Sequence, residues 1–534
     1  MKKKLISFKD TNRFSKLTTS YLDQAESLQP FHGLFPSVQN FKKQIEAKRA
    51  SYSDTSRQVL ANTLRDQYSK IPHSVAVQKN LSLLDSKNTF TITTGHQLSL
   101  MTGPLYFLYK IVSSINLCKQ LKKNYPKSNF VPVYWMASED HDFEEISSFR
   151  FQDKIIRWSG EAAGAVGKMS LEDLQPTLDV FVQQLGDGAN AGHIKDLINR
   201  SYRTSNTLSE ATFRLVNILF GEYGLIIIEP QTPKLKALFK PILKEEISQG
   251  SSFISVIKQI ENLKKDFDSN YIPQVNPREI NLFYLTSNGR YLIEKSNDIF
   301  HLKGTEHSFT ELEFMKLVDQ HPERFSPNVI LRPLYQECIL PNLCYIGGGG
   351  ELAYWLQLNS TFNHFEVPFP ILLLRNSVLL HSKKLARKIT KLKLETADLF
   401  MNRDALVNKK IMQISNIDID LSYLKYQLKK QFESLQDIVA KTDASFKGAV
   451  NAQEVKQLKG IDHLEKRLLK AQKRVLKDDV ARLVTILDQL FPNDGLQERA
   501  INFSSFYLDL GLELIPNLIE ELDPLDPNFV ILEY

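Results

Sequence analysis

The stretch that most constrains the fold runs from Phe90 to Asp142, because it holds two strand patterns that each end in polar residues. The first, Phe90 to Thr94, is rich in β-branched residues and is followed by a helix pattern that continues to Leu121. The second, Phe130 to Met136, is apolar and predicts a buried strand. Strand, helix and strand in this order make half of a doubly wound sheet, in which ligands bind outside the carboxyl ends of the strands. We therefore expect an α/β fold with a site just after these two strands.

Length and composition indicate a globular protein of roughly three ordinary domains, with 534 residues, 42% of them hydrophobic and 10% aromatic. Apolar runs such as Ile371 to Leu374 are too short to cross a bilayer, and the residues after Met1 lack the apolar core of a signal peptide. The three cysteines, Cys118, Cys338 and Cys344, have no metal-ligand spacing and fit a reducing compartment. We expect a cytoplasmic protein with buried, inert thiols.

The loop after the first strand has features of an anion-binding site. Gly95 and Gly103 permit close approach of the backbone, and the helix that follows directs its amide groups and positive dipole end at whatever binds there. His96, with Gln97 beside it, can hydrogen-bond a phosphate, and Lys110 can neutralise charge. The alternative is that the second glycine only begins the helix and that the histidine caps it. Residue types alone do not decide between the two interpretations.

A dense acidic cluster follows the second strand. Its members are Glu139, Asp140, His141 and Asp142, with Glu144 and Glu145 directly behind. Such crowding raises the pKa of at least one carboxyl group unless a cation is near, so a metal ion or an ammonium group is implied. The alternative is a solvated helix start, since acidic residues favour that end of a helix. The buried strand just before the cluster favours a functional site, and its first four members are the catalytic candidates.

The remaining patterns divide the chain into further segments. We predict N-terminal helices and the first half of the core over 1–150, a first insertion over 151–215, more core over 216–250, a second insertion with a hairpin at Asn288-Gly289 over 251–330, completion of the core over 331–382, an antiparallel helical arm over 383–490 and a segment that returns to the core over 491–534. Gly448 and Asn451 are expected to break the arm between its two helices.

Two of these later segments carry further ligand-binding candidates. Gly348 and Gly349 lie in a run of four glycines between a strand and a helix, which predicts a backbone-lined ligand site, although neither GxGxxG nor a Walker lysine is present. Arg375 ends the last core strand and supplies a cation. Near the C-terminus, Val530 to Leu532 is expected to add an edge strand to the core.

The net charge of +6 is concentrated in the helical arm. Residues 383 to 482 contain 23 Lys and Arg against 13 Asp and Glu, a local balance of +10, so the rest of the chain is at −4. A basic helical arm can meet nucleic acid. However, its charges alternate in sign along the sequence, as on a solvated coiled-coil face, and no aromatic residues are interleaved for base stacking. We therefore do not expect a nucleic-acid partner.

Three motifs resemble the bacillithiol-biosynthesis cysteine ligase family, BshC. They are Thr94-Gly95-His96-Gln97 with Gly103-Pro104-Leu105-Tyr106 and Lys110, the run from Pro132 to Glu145, and Gly348-Gly349-Gly350-Glu351-Leu352-Ala353-Tyr354-Trp355; Leu496 to Arg499 extends the match to most of the chain. The resemblance implies a Rossmann-type core related to nucleotidylyltransferases and class I aminoacyl-tRNA synthetases, two connecting insertions and a coiled-coil arm that forms a homodimer. It also implies that the protein joins cysteine to glucosaminyl-malate.

The resemblance and the residue patterns together leave three function classes. The leading hypothesis is an ATP-dependent ligase in which residues 95–110, the later glycines and Arg375 bind the nucleotide, with Mg²⁺ as a possible companion ion. In that case the acidic cluster orients the ion or the attacking amine. The second is a metal-dependent hydrolase that uses the cluster Glu139 to Asp142. The third is a non-enzymatic scaffold that dimerises through its arm.

Overall fold

The computed structural model describes residues 1–160, 164–439, 441–442 and 444–534. The chain forms two compact units. The first comprises residues 1–9, 13–379 and 497–532, and the second comprises residues 10–12, 380–496 and 533–534. The insertion boundaries given above stay predictions.

The centre of the first unit is a five-stranded sheet in which every neighbouring pair is parallel. In spatial order its strands are Ile371–Leu374, Asn342–Gly347, Thr89–His96, Asn129–Met136 and Ile226–Ile228. Numbered along the chain, this order is 3-2-1-4-5, read from the last-named strand. The strand order therefore reverses between Thr89–His96 and Asn342–Gly347, which is where doubly wound sheets bind ligands. The predicted Rossmann-type α/β fold is confirmed.

Helices pack against this sheet because its strands are apolar. The helix Tyr106–Asn124 is buried along most of its length. Phe41 and Ile45, on an N-terminal helix, pack with Ile92 and Leu117 in one core cluster. The α-helices of the first unit are Lys16–Leu22, Val38–Ser51, Asp54–Tyr68, Val75–Leu83, Tyr106–Asn124, Phe143–Ile146, Gln175–Gln184, Ala189–Ser201, Leu208–Phe220, Pro233–Ala237, Lys240–Gln249, Ser251–Asp266, Glu311–Gln320, Leu331–Ile339, Gly349–Trp355, Asn359–His364, Gln497–Ala500, Phe503–Leu510 and Leu514–Glu521.

Two small antiparallel sheets belong to the chain between the core strands. Ser148–Phe151 pairs with Lys154–Arg157. The larger sheet has five strands in the order Ser308–Thr310, Ile299–Leu302, Arg290–Ser296, Leu282–Leu285 and Phe325–Pro327. Its central hairpin turns at Asn288-Gly289, as the sequence predicts.

The C-terminal strand corrects one expectation. Asn528–Glu533 does not extend the core sheet but is the middle strand of a separate three-stranded sheet, between Lys2–Ser7 and Val378–His381. A short apolar run identifies a strand without naming its partner, and pairing between distant segments is set by tertiary packing.

Cys118 and Cys344 are buried, and Cys338 is half-buried.

The second unit is helical over its described residues. Its helices are Lys383–Lys391, Thr396–Leu399, Arg403–Ile414, Ser422–Val439, Ala444–Val475 and Lys477–Leu490. The two long helices run antiparallel, since Lys425 pairs with Asp462 while Gln436 donates to Asn451. Gly448 and Asn451, which were expected to break the arm, lie inside Ala444–Val475. No helix in the described part of the chain is long and apolar enough to cross a membrane.

Candidate active site

A cavity of about 860 Å³ opens at the point where the strand order reverses. The ends of three core strands reach it through Gly95 and His96, Trp135 and Met136, and Tyr345. Eight of the twelve sequence-predicted site residues line it, namely Gly95, His96, Gln97, Lys110, Glu139, Asp140, Gly348 and Arg375. Six Lys and Arg side chains but only four carboxylates line the cavity, so its wall carries a formal excess of positive charge.

Lys110 is buried in an ion pair. Its Nζ lies 2.6 Å from a carboxylate oxygen of Glu351 and donates to the carbonyl of Gly95 at 2.8 Å. Glu351 also accepts hydrogen bonds from the hydroxyl of Tyr345 (2.6 Å) and the amide of Gly348 (2.8 Å). Burial works to raise the pKa of Glu351, but Lys110 and these donors hold it below its usual range. The lysine reaches the cavity as part of a fixed network.

Two arginines beside this pair keep hydrogen-bonding capacity. Arg375, whose side chain is 3% exposed, is held 2.8 Å from the buried Glu498 through one terminal nitrogen. Its Nε is buried and has no hydrogen-bond partner among the described residues. The half-buried Arg332 donates to neutral groups, the amide oxygen of Gln336 and the hydroxyl of Tyr354, and forms no ion pair in the described chain. Both guanidinium groups can therefore donate hydrogen bonds to an oxyanion in the cavity.

His96 is 9% exposed, and its ring packs edge-on against Tyr106. Burial, and then the positive charge of Lys110, lower the pKa of His96 to about 3. The imidazole is therefore neutral at physiological pH. A neutral ring suits hydrogen bonding to a ligand and does not suit donation of a proton as an imidazolium ion.

Asp140 is the best-connected carboxylate of the acidic cluster. It accepts a hydrogen bond from Gln97 at 2.8 Å and from the amide of His141 at 2.8 Å, and Arg290 lies 3.5 Å away. Burial opposes ionisation, but hydrogen bonds with the side chains of His141 and Gln97, the charge of Arg290 and the amide of His141 hold the pKa of Asp140 well below its usual range. The same amide of Gln97 donates to Glu145 at 2.9 Å, so two carboxylates converge on one side of the cavity.

Glu139 is anchored rather than free. One of its oxygens lies 2.6 Å from the Nζ of the fully buried Lys236, and the other accepts from Ser326 at 2.7 Å. The crowding argument from sequence required a cation near the acidic cluster, and the protein itself provides two, Lys236 and Arg290. Among the described residues, no group of three His, Cys, Asp or Glu side chains is placed to hold a metal ion.

The other four predicted residues do not line the cavity. His141 is half-exposed and contacts Arg290 at 3.1 Å. Asp142 caps the short helix Phe143–Ile146 by accepting a hydrogen bond from the amide of Glu145. At this one position the acidic residue therefore belongs to a solvated helix start, the alternative that the sequence left open. A Cβ on Gly349 would lie 2.9 Å from the hydroxyl of Thr18, so this glycine serves close packing.

Gly103 has φ +67° and closes a turn that the C-terminal segment covers. The side-chain amide of Asn502 donates to the carbonyls of Met101 and Gly103, and the amide of Leu105 donates to Ile501. Of the amides at the start of the helix Tyr106–Asn124, where the sequence predicts a phosphate, these contacts use that of Leu105, while the side chain of Tyr106 lines the cavity. The strand ends, and not this turn, face the cavity.

Sequence reasoning missed several cavity residues that come from distant segments. Arg290 and Arg332 line the cavity, and Lys236 positions one of its carboxylates. Arg290, Arg332 and Lys236 do not belong to any of the motifs. Only Arg290 has a local marker, because it directly follows the predicted turn at Asn288-Gly289. Glu351 and Arg499 lie in the quoted motifs, but no local pattern assigns them a role.

Comparison with known proteins agrees with this architecture. Residues 1–376 match the family model for the N-terminal Rossmann-like domain of the bacillithiol biosynthesis protein BshC, and residues 378–534 match the model for its C-terminal coiled-coil domain. Relatives from Flavobacterium johnsoniae and Christiangramia forsetii are each 50% identical, covering 99% of this chain and 99% and 98% of their own lengths. A relative from Cytophaga hutchinsonii is 35% identical over 97% of this chain and 96% of its own. All three carry the name "Putative cysteine ligase BshC". The chain is therefore a member of the BshC family of bacillithiol biosynthesis.

Proposed function

We propose that the chain is an ATP-dependent ligase that joins cysteine to glucosaminyl-malate in the last step of bacillithiol biosynthesis. The names of the relatives support the ligase class. The observation that carries the proposal is the cavity at the strand-order reversal, where Arg332 has no carboxylate partner and the buried Nε of Arg375 has no hydrogen-bond partner among the described residues. A buried cation without a full set of partners is costly. A phosphate or carboxylate oxygen supplied by substrate would complete both.

The proposed reaction has two steps. A carboxylate oxygen of cysteine attacks a phosphorus atom of ATP, which gives an acyl phosphate or acyl adenylate and releases ADP or pyrophosphate. The amine of glucosaminyl-malate then attacks the activated carbonyl, an amide bond forms, and phosphate or AMP leaves with the carboxylate oxygen. Both steps build negative charge on phosphate oxygens, which preorganised cations stabilise without reorganisation.

Each cavity group has a role in this scheme. Arg332 and Arg375 bind the oxyanion that forms in each step. Lys110, held by Glu351, adds positive charge that cannot move away from the site. Asp140, ionised at physiological pH, binds an ammonium or amine hydrogen of the attacking substrate. His96 donates or accepts one hydrogen bond as a neutral ring.

Mg²⁺ fits this scheme as an ion carried by the nucleotide. The described residues offer no three-ligand group, and Glu139 is already paired with Lys236. Mg²⁺ commonly binds through substrate phosphates with only one or two protein carboxylates, and Asp140 and Glu145 can supply these. The same pairing does not favour a hydrolase built on the acidic cluster, since that mechanism needs several free ligands.

The reaction itself tests the proposal. Incubation of the protein with cysteine, glucosaminyl-malate and ATP is expected to give the thiol-containing amide together with AMP or ADP, both measured by mass spectrometry. Reactions that lack one substrate at a time are the controls, and each is expected to give no amide. Amide formation without ATP, or nucleotide release without amide, would contradict the ligase assignment.

We also propose that two copies pair through the helical arm. Several large apolar side chains on the two long helices remain exposed in a single copy, including Tyr423, Leu424, Ile438, Leu464 and Val475. Exposed apolar residues on a helical hairpin mark an association surface, because one seam buries only part of them.

A further inference from the structure

The helix Ala444–Val475 separates its charges around its circumference although they alternate along the sequence. Six basic side chains between residues 459 and 474, which we call the basic stripe, lie within about 120° of the helix circumference at 100° per residue. They are Lys459, Lys466, Arg467, Lys470, Lys473 and Arg474. All are exposed except Lys473, which is half-exposed, and none forms an ion pair within the described part of the chain.

The carboxylates of the same segment lie outside this arc, and both pair with a lysine of the neighbouring helix. Between residues 459 and 474 the acidic residues are Asp462 and Glu465. Both form ion pairs with Lys425 of the neighbouring helix, whose Nζ lies 2.7 Å from a carboxylate oxygen of Asp462 and 2.8 Å from one of Glu465. The basic stripe therefore presents an uninterrupted row of cations about 23 Å long, at 1.5 Å of rise per residue.

We infer that the basic stripe binds the phosphate backbone of double-stranded nucleic acid, independently of the ligase proposed above. A straight row of cations complements a repeating polyanion, and counterion release makes such binding favourable. No aromatic residue lies in the stripe to stack on bases, which favours a duplex over single strands. Membrane-surface helices insert an apolar face, whereas Val450, on the side opposite the stripe, packs with Phe432 and Val439 of the helix Ser422–Val439 in one cluster.

This inference departs from the expectation drawn from the sequence, for a definite reason. Alternation was judged along the chain, whereas a ligand meets one face of a helix. With 3.6 residues per turn, Asp462 and Glu465 fall outside the arc of the basic stripe and pair with Lys425 of the neighbouring helix.

Fluorescence anisotropy of a labelled 20-base-pair DNA duplex with the full-length protein tests the inference. Six phosphate contacts predict that affinity falls roughly 1,000-fold between 50 and 200 mM salt. The variant K466Q/K470Q/K473Q/R474Q keeps helix-forming residues and is expected to reduce the slope of log K against log salt by about 3 to 4.

The matched control is K79Q/K127Q/K258Q/K264Q, which removes four exposed lysines without ion pairs from the first unit and makes the same change in net charge. It is expected to leave the slope unchanged. Equal losses in the two variants would show only a net-charge effect and overturn the inference. So would the absence of duplex binding at 50 mM salt, or binding to vesicles of phosphatidylglycerol and phosphatidylcholine with none to the duplex.

Discussion

Replacement of Asp140 by Asn separates two accounts of the acidic cluster. Judged from sequence, the cluster is a set of like charges, and removing one should leave stability level or raise it. The structure gives the opposite sign, because Asp140 accepts hydrogen bonds from Gln97 and from the amide of His141 and faces the nearly buried Arg290. In the variant one carboxylate oxygen becomes an NH₂ group that meets the amide NH₂ of Gln97, and the arginine loses its counter-charge.

Hydrogen bonds to a charged group are worth about 1.5–3 kcal/mol, so we expect Asp140→Asn to lower the free energy of unfolding by about that amount. The control is Asp142→Asn, two residues away. Asp142 only caps a helix at an exposed position, and Asn caps as well as Asp, so a change within about 0.5 kcal/mol is expected. Denaturant unfolding of the three proteins gives both values.

The pH dependence has a defined sign. The pKa of Asp140 is lower in the folded state than in the unfolded chain, so its stabilisation is fully present above the unfolded value and is lost as pH falls through the folded value. The difference between wild type and Asp140→Asn should therefore persist from pH 8 to about pH 4 and shrink only below that. An Asp140→Asn protein as stable as wild type at pH 7 would refute the assigned contacts.

Five further outcomes are expected. A hundredfold excess of ATP over its dissociation constant should stabilise the wild type by roughly 2.7 kcal/mol in thermal unfolding. Arg499→Met, which removes an exposed cavity cation, should weaken ATP about tenfold without altering the unliganded melting temperature; an unchanged ATP response would place the nucleotide elsewhere. Gly103→Val should lower stability by about 1–3 kcal/mol, because φ +67° strains a β-branched residue, and native stability would refute that geometry. Lys236→Met should cost about 3–5 kcal/mol by leaving Glu139 unpaired, with recovery in Lys236→Met/Glu139→Gln; no recovery would mean that packing dominates. Replacement of residues 421–475 by a short linker should give a monomer in light scattering, and a dimer would exclude the arm as the interface.

The sequence predicted the parts of the fold that local patterns encode. The strands predicted over Phe90 to Thr94 and Phe130 to Met136 and the hairpin at Asn288-Gly289 are confirmed, because strand periodicity and turn chemistry are short-range properties. The partner of the C-terminal strand was wrong, since pairing across several hundred residues depends on packing. The arm's turn was also misplaced, because helix propensity at Gly448 is outweighed by the packing of a long helix.

The site was predictable where its residues follow core strands. Gly95, Asp140 and Gly348 line the cavity, because parallel strands bring their carboxyl ends to one edge of the sheet. Arg290 and Arg332 were not predictable, since an isolated arginine carries no local signal and its position depends on how the insertion and the core pack. Arg290, together with Lys236, supplies the positive charge that the crowding of the acidic cluster implied.

Oxygen transfer from cysteine to the nucleotide product tests the central claim most directly. Cysteine labelled with ¹⁸O in its carboxylate is incubated with the protein, ATP and glucosaminyl-malate, and the AMP or phosphate is examined by mass spectrometry. A ligase that activates the carboxylate must transfer one labelled oxygen to AMP or phosphate for each amide formed. Amide formation with no label in either product would show that ATP does not activate the cysteine carboxylate, and the proposed function would be wrong.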